Sequence, residues 1–330
     1  MALTGLIPLT VAQAAIEATK GTILPATRKQ PILDGYLEDH MERQKVVEQR
    51  GSFIRNYRSY QIKRHVEISG LTFAATYEDL PWLFQFFLKG GVTGGAGDGG
   101  TPAMYSYGPF SPTAASDDLK TCNWELGDDT QNFSIPYCVG NKLQLGFTRE
   151  GPMTTSTDWL GARAVKQAKT GSLSDRVTED IIGSDGIVYI DSTTIGTTAV
   201  AYPLSMNLTI DNNFNQLWVL DGNKYPKEAY RGQQRMMAME MVIAFDTTAE
   251  YDAFLTSPAE RKIRYRVNGT TIHNAITKQL TIDWYGYWDE AAFGSQNGMR
   301  IITLRGESHY DTGASLDWSA TVQNALSTLP

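Results

Sequence analysis

An apolar strand feeding a short, capped helix occurs twice in this chain, and such a repetition limits the possible folds more than any single motif in it. Leu71-Thr72-Phe73-Ala74-Ala75-Thr76-Tyr77-Glu78-Asp79-Leu80 is echoed by Met241-Val242-Ile243-Ala244-Phe245-Asp246-Thr247-Thr248-Ala249-Glu250-Tyr251. In each copy a threonine (Thr76, Thr247) precedes an acid (Asp79, Glu250) by three residues, the spacing at which side chains satisfy the free amides of a helix start. Downstream, Leu143 to Thr148 and Leu280 to Tyr285 both alternate apolar and polar residues. Two similar β-rich units without a chemical motif in either point to a building block before an enzyme.

At 330 residues the chain is long enough for two domains with separate cores, and 42% hydrophobic with 11% aromatic residues supplies the material for them. The net charge of -7 argues against general attraction to DNA or anionic lipid, which depends on cations neutralising phosphates. The most apolar run, Leu80 to Leu88, contains Pro81 and Gln85 and is far shorter than the roughly 20 residues a bilayer demands, so no membrane insertion is expected. Ala12-Gln13-Ala14 resembles a signal-cleavage site. The first basic residue is Lys20, however, and Gly5, Pro8 and Thr10 interrupt the stretch before it, so export is not expected. Cys122 and Cys138 fit reduced thiols, with a bridge between them as the alternative.

Residues 1–35 are expected to form an arm, with Val11 to Lys20 as a possible short helix. Residues 36–165 form a first unit and include a long charged loop at about 38–64. Residues 166–186 are the linker, 187–310 the second unit, and 311–330 a small, polar tail suited to lying across a neighbour or staying loose. Helices are expected near Asp79 to Leu88 and Thr248 to Leu255, burying Trp82, Phe86, Tyr251 and Phe254. Strands are expected at 103–107, 119–126, 131–137 and 142–157, then at 186–191, 205–210, 236–245, 262–267, 278–284 and 299–305. The glycine-rich stretch Gly90 to Gly100 is an extended loop.

Chemistry is hard to find. His40, His65, His273 and His309 are scattered singly and read as surface or interface residues, and no His or Cys pair has metal-ligand spacing. Asp117-Asp118 and Asp128-Asp129 lack the alternating ligands of a calcium loop and read as solvated charge. The glycine loop has no Gly-Lys-Ser/Thr ending, and no serine sits in a nucleophile elbow, so no catalytic residue, cofactor or metal site is assigned. Arg50 to Arg64 holds five basic residues and no acid, interleaved with Phe53, Tyr57 and Tyr60. It is suited either to nucleic acid or, preferred here, to pairing with acids on an adjacent subunit. Arg43, Lys45, Arg50, Phe53, Arg55, Tyr57, Arg58 and Tyr60 are the contact candidates.

The chain resembles the major tail tube proteins of long-tailed bacteriophages with non-contractile tails, in the variety carrying two tube domains in tandem. The resemblance rests on Glu17-Ala18-Thr19-Lys20-Gly21-Thr22, on Val66-Glu67-Ile68-Ser69-Gly70-Leu71-Thr72-Phe73, and on Gly146-Phe147-Thr148-Arg149-Glu150-Gly151-Pro152. It continues through Leu208-Thr209-Ile210-Asp211-Asn212-Asn213 and Met239 to Phe245. It implies a mainly β fold with minor helix: two β-sandwich or half-barrel domains, each with a short flanking helix, whose sheets join between subunits into a closed tube. It also implies trimeric, pseudo-hexameric rings stacked into a virion tail assembled in the host bacterial cytoplasm. The partners would be copies of the chain itself, the tape-measure protein and other tail proteins, with DNA passing through the lumen without specific binding. An acidic or uncharged lumen wall and a 38–64 loop reaching the next ring are the corresponding expectations. The rival readings are a carbohydrate-binding or glycan-hydrolysing β-protein, with Trp284, Tyr285 and Trp288 as sugar platforms, and a tail terminator or capsid decoration protein.

Overall fold

The computed structural model describes residues 10–96, 103–108, 119–255 and 259–329. In the first half the strands are β1 (Val11–Ile16), β2 (Arg28–Gln30), β3 (Asp34–Val47), β4 (Asn56–Ala74), β5 (Gly95–Ala96) and β6 (Ala103–Tyr107). They are followed by β7 (Cys122–Gly127), β8 (Asn132–Thr148), β9 (Thr154–Gly161) and β10 (Val165–Lys166). The second half contributes β11 (Gly186–Asp191), β12 (Pro203–Asp211), β13 (Phe214–Leu217), β14 (Glu228–Arg231) and β15 (Met236–Ala244). It closes with β16 (Arg261–His273), β17 (Ile276–Gly286), β18 (Glu290–Gln296), β19 (Met299–Glu307) and β20 (Trp318–Asn324). Two helices are described, α1 (Leu80–Phe87) and α2 (Ala249–Leu255). The fold is therefore mainly β, and its sheets are open.

One antiparallel path runs β3-β4-β9-β8-β12-β15-β19-β18. Within it the same order of four strands occurs twice, first as β3-β4-β9-β8 and then as β12-β15-β19-β18. The joint between the two sets is the β8·β12 ladder, in register from Thr148 opposite Ser205 to Lys142 opposite Asp211. A second matching order lies behind it: β1-β7-β8-β10 in the first half and β11-β16-β17-β20 in the second. Strand β8 serves in both of its sets because it is 17 residues long, whereas the second half divides that work between β17 and β18. The switch within β8 occurs at Tyr137, whose φ of 57° lies in the left-handed region. The backbone N–H of Tyr137 donates to Glu17 Oε1 at 2.7 Å, which keeps a buried amide satisfied where the ladder breaks.

Three expectations change. Val11 to Ile16 is a strand seated between β2 and β7, not a helix, because its small side chains Ala12, Ala14 and Ala15 pack into the core. Leu143 to Thr148 and Leu280 to Tyr285 lie in different sheets, since by order of pairing the counterpart of the later part of β8 is β18 and not β17. Residues 311–329 are no loose tail: β20 lies between β17 and β6 and buries Trp318 and Val322. The glycine stretch is described only through Ala96, so its remainder lies outside the described residues.

All eight side chains of α1 are buried, including the expected Trp82 and Phe86. The helix starts where the Thr76 hydroxyl accepts the Asp79 N–H at 3.0 Å, with Pro81 in the first turn, and it stops before the Gly90-Gly91 pair. Trp82 stands edge-on to Phe86 and Trp124, while Phe86 and Phe87 both meet Trp159. Gly140 on β8 leaves room for this, since a Cβ there would lie 2.7 Å from the Phe87 ring. In α2 only Ala253 is buried; Tyr251 and Phe254 are half-buried against the core, and Leu255 is exposed.

Candidate assembly surfaces

The long antiparallel path ends in strands that lack a neighbour on one side among the described residues: β3 at one end and β18 at the other. Strand β18 forms a tight hairpin with β19 through Asn297 and Gly298, both left-handed at φ 50° and 80°. A two-residue turn of this kind makes Gln296 and Met299 a hydrogen-bonded pair, and the alternation of an antiparallel ladder follows from there. Ala291, Phe293 and Ser295 therefore direct their backbone N–H and C=O groups away from β19, toward the open edge. An uncovered edge with the exposed Phe293 beside it is a template for another strand.

Strands β3 and β4 extend past the sheet as a hairpin with its tip at residues 48–55, so the segment expected as a loop is mostly a two-stranded arm. Its distal part is exposed. Arg43 and Lys45 lie on β3, Tyr57, Arg58 and Tyr60 on β4, and Arg50, Phe53 and Arg55 at the tip. Of these, the fold brings Arg50, Tyr57 and Arg58 together: Glu48 binds both arginines, and the Arg50 guanidinium lies 4.7 Å from the Tyr57 ring centre. The hydrogen bonds from Arg58 and then Arg50 hold the Glu48 carboxyl below its usual range. Further along, Lys63 pairs with Glu42 and Arg64 with Asp39. Four of the five cations between Arg50 and Arg64 are thus answered by acids of their own hairpin. The sequence hides this because the acids sit on the opposite strand, outside the basic stretch. What the tip offers a neighbour is chiefly apolar: Phe53 is fully exposed, and Val47 and Ile54 are about 60% exposed, at 61% and 62%.

The main sheet has one apolar face and one polar face. Leu143, Leu145 and Phe147 on β8, Met206, Leu208 and Ile210 on β12, and Met237, Met239 and Met241 on β15 point into the core. The alternate positions carry Lys142, Gln144, Asn207, Thr209, Asp211 and Glu240. Arg305 on β19 also belongs to this face and is held by Glu240 and Glu290. The polar face is therefore mostly uncharged and acidic, with Lys142 as a cation on β8 and its central arginine held by two carboxylates.

The remaining candidates resolve simply. Trp284, Tyr285 and Trp288 are buried, the two tryptophans stacked at 5.8 Å, so they form core and no sugar platform. Cys122 and Cys138 are cross-strand partners, both free and buried, and burial pushes the Cys122 thiol up. Asp128 accepts the Thr130 and Gln131 amides and closes a turn, while Asp117 and Asp118 lie outside the described residues. Among the histidines the fold does what sequence spacing does not reveal: His40 and His65 are directly opposite one another on β3 and β4. No described helix is long and apolar enough to cross a membrane.

No curated protein matches the chain. The model of a family described as phage tail tube protein matches residues 9–320. With its mainly β fold and open sheet edges, the chain belongs to the phage tail tube protein family, structural proteins of the virion tail.

Proposed function

We propose that this protein is the tail tube subunit of a long, non-contractile phage tail, closing as a trimer into pseudo-hexameric rings that stack around a DNA conduit. The observation that carries the reading is the repeated strand order. One chain contains two four-strand sets already joined through β8·β12, and it leaves β3 and β18 open at the two ends. If β18 of one chain pairs with β3 of the next as β8 pairs with β12, the contact is head-to-tail. Three chains then supply six equivalent sets, and closure pairs both open ends of this path. The two sets correspond to tandem tube domains spanning 36–165 and 187–310, with 166–186 between them.

In this arrangement the polar face of the main sheet lines the lumen. Acids and uncharged groups outnumber cations such as Lys142 on it, so a duplex can slide where no array of cations displaces the counterions of DNA. The β3–β4 arm carries Phe53 and Ile54 toward the adjoining ring, and the cations Arg43, Lys45 and Arg55 border that contact. The tape-measure protein occupies the interior before DNA, and assembly takes place in the bacterial cytoplasm.

Negative-stain images of the purified protein, combined with light scattering, test the reading. Tubes built from three-chain rings are expected. Ser295→Pro removes one outward N–H from β18 without touching the β19 ladder, so it should leave a folded chain that forms no tubes. Wild-type protein that stays monomeric, or Ser295→Pro protein that assembles normally, would overturn it.

A further inference from the structure

The geometry points to a divalent transition-metal site at the root of the β3–β4 arm, formed by His40, His65 and Glu67 with Glu38 as fourth ligand. The site belongs to the single chain and stands independently of the ring arrangement proposed above. Register creates it: His40 faces His65 and Glu38 faces Glu67 across the same antiparallel pair. Positions two apart on a strand share a face, so all four side chains project from one side of the hairpin. The neighbouring Val66 and Ile68 point the other way and are buried in the core, which holds this face in place.

The distances suit a small tetrahedral ion. His65 Nε2 lies 3.1 Å from Glu67 Oε1, and His40 Nε2 lies 3.2 Å from Glu38 Oε2 and 3.7 Å from Glu67 Oε2. Ligand atoms about 2.0–2.2 Å from zinc at tetrahedral angles stand roughly 3.3 Å apart. One ligand atom each from His40, His65 and Glu67 all fall within 4.8 Å of one another. His40 Nε2 is shielded from water, and despite its distance to Glu38 it makes no aligned hydrogen bond. That nitrogen therefore lacks the partner a buried ring nitrogen ordinarily has. Two imidazoles and two carboxylates select zinc and its neighbours over calcium or magnesium, which take all-oxygen shells.

The ordinary reading of such a cluster is a set of His–Glu ion pairs, two along single strands (His40–Glu38 and His65–Glu67) and one across the pair (His40–Glu67). The two rings also stack at 5.0 Å with 21° between their planes, which holds them side by side on this face of the hairpin. A cation between the two strands would rivet the arm where it leaves the sheet. Trp218 reports on the place, standing edge-on to His65 at 5.8 Å, with the Lys63 ammonium over its ring at 4.9 Å.

Calorimetric titration of the full chain with ZnCl2, repeated with CoCl2 followed by visible absorption, tests the assignment. One zinc per chain is expected, with cobalt giving the intense absorption of a four-coordinate nitrogen and oxygen shell. Cobalt should also quench emission that Trp218→Phe removes. His40→Ala or His65→Gln should each weaken zinc binding at least about 10-fold while circular dichroism stays native, because the side chains are partly exposed. Calcium should not compete. Absence of stoichiometric zinc binding, or binding unchanged in the His40→Ala/His65→Gln double variant, would overturn the site.

Discussion

The two halves of this chain anchor their short helices by the same device at different depths. In the first half, Asp79 at the start of α1 binds Arg28 from β2 at 2.7 Å, and the Arg28 guanidinium lies 4.0 Å from the Trp82 ring centre. In the second, Glu250 in α2 accepts from Arg261 at 3.0 Å and from the Trp288 indole N–H at 3.0 Å. Acid, arginine and tryptophan recur, and in neither case does the acid serve the helix start as the capping spacing suggests. The depth differs: the Arg28 and Asp79 side chains are 0% and 3% exposed, those of Arg261 and Glu250 13% and 18%. Burial first, and then Arg176, pushes the Arg28 guanidinium down from its usual range, a cost that its bonds to Asp79 and Gln30 must offset.

A further match appears where each half's first strand ends. After β1, Glu17 accepts the Gly21 N–H and the Thr121 hydroxyl; at the end of β11, Asp191 accepts the amides of Gly196, Thr197 and Thr198. Gly21 and Gly196 both adopt left-handed backbone, φ 80° and 83°. One acid thus closes one glycine turn in each half. The correspondence teaches that a repeat can survive as hydrogen-bonding roles after residue identities have diverged.

The largest effect that could break the helix comparison belongs to the enclosed pair. Asp79→Ala leaves Arg28 charged and unpaired in the core and should cost about 3–5 kcal/mol in urea unfolding. Replacing Asp79→Leu together with Arg28→Met should recover part of that loss, since Arg176, which also pairs with Asp79, still loses its carboxylate. Glu17→Ala comes next, at about 1–3 kcal/mol, because the Tyr137 amide loses its acceptor where β8 switches partners. Glu250→Ala should cost about 1–2 kcal/mol, since water can reach Arg261 once the carboxylate is gone. Equal losses for Asp79→Ala and Glu250→Ala would show that depth does not separate the two anchors.

The smallest effect is a pH dependence. Burial by itself would raise the Asp191 carboxyl, but hydrogen bonds from Thr197 and Thr198 outweigh it and bring it from 3.8 to about 2. A depressed carboxyl adds stability above its unfolded value that is lost as pH falls through the folded one. Urea midpoints of wild-type protein should therefore drop between about pH 4 and pH 2 more steeply than those of Asp191→Asn. Parallel curves would remove Asp191 from the comparison.

Local patterns made much of the fold legible. Runs rich in β-forming and apolar residues marked β11, β12, β15 and β19, and the apolar run bounded by Thr76 and Gly90 marked α1, because these preferences are written in neighbouring residues. The partners of Asp79 and Glu250 were not legible, since Arg28 and Arg261 reach them from other strands. Nor was the pairing of His40 with His65, which depends on hairpin register. At the arm, the basic stretch was visible but its neutralisation by Glu48, Glu42 and Asp39 was not.

The sequence by itself determined a mainly β chain with a recurring strand-and-helix pattern and a buried aromatic helix. Those properties follow from side-chain chemistry and short-range periodicity. Only the tertiary structure decided that β8 joins the two strand sets, that β3 and β18 remain open, and that β20 closes onto β6 instead of trailing away. Strand neighbours are chosen by packing and register across long separations, and a period of two records only which face a residue takes.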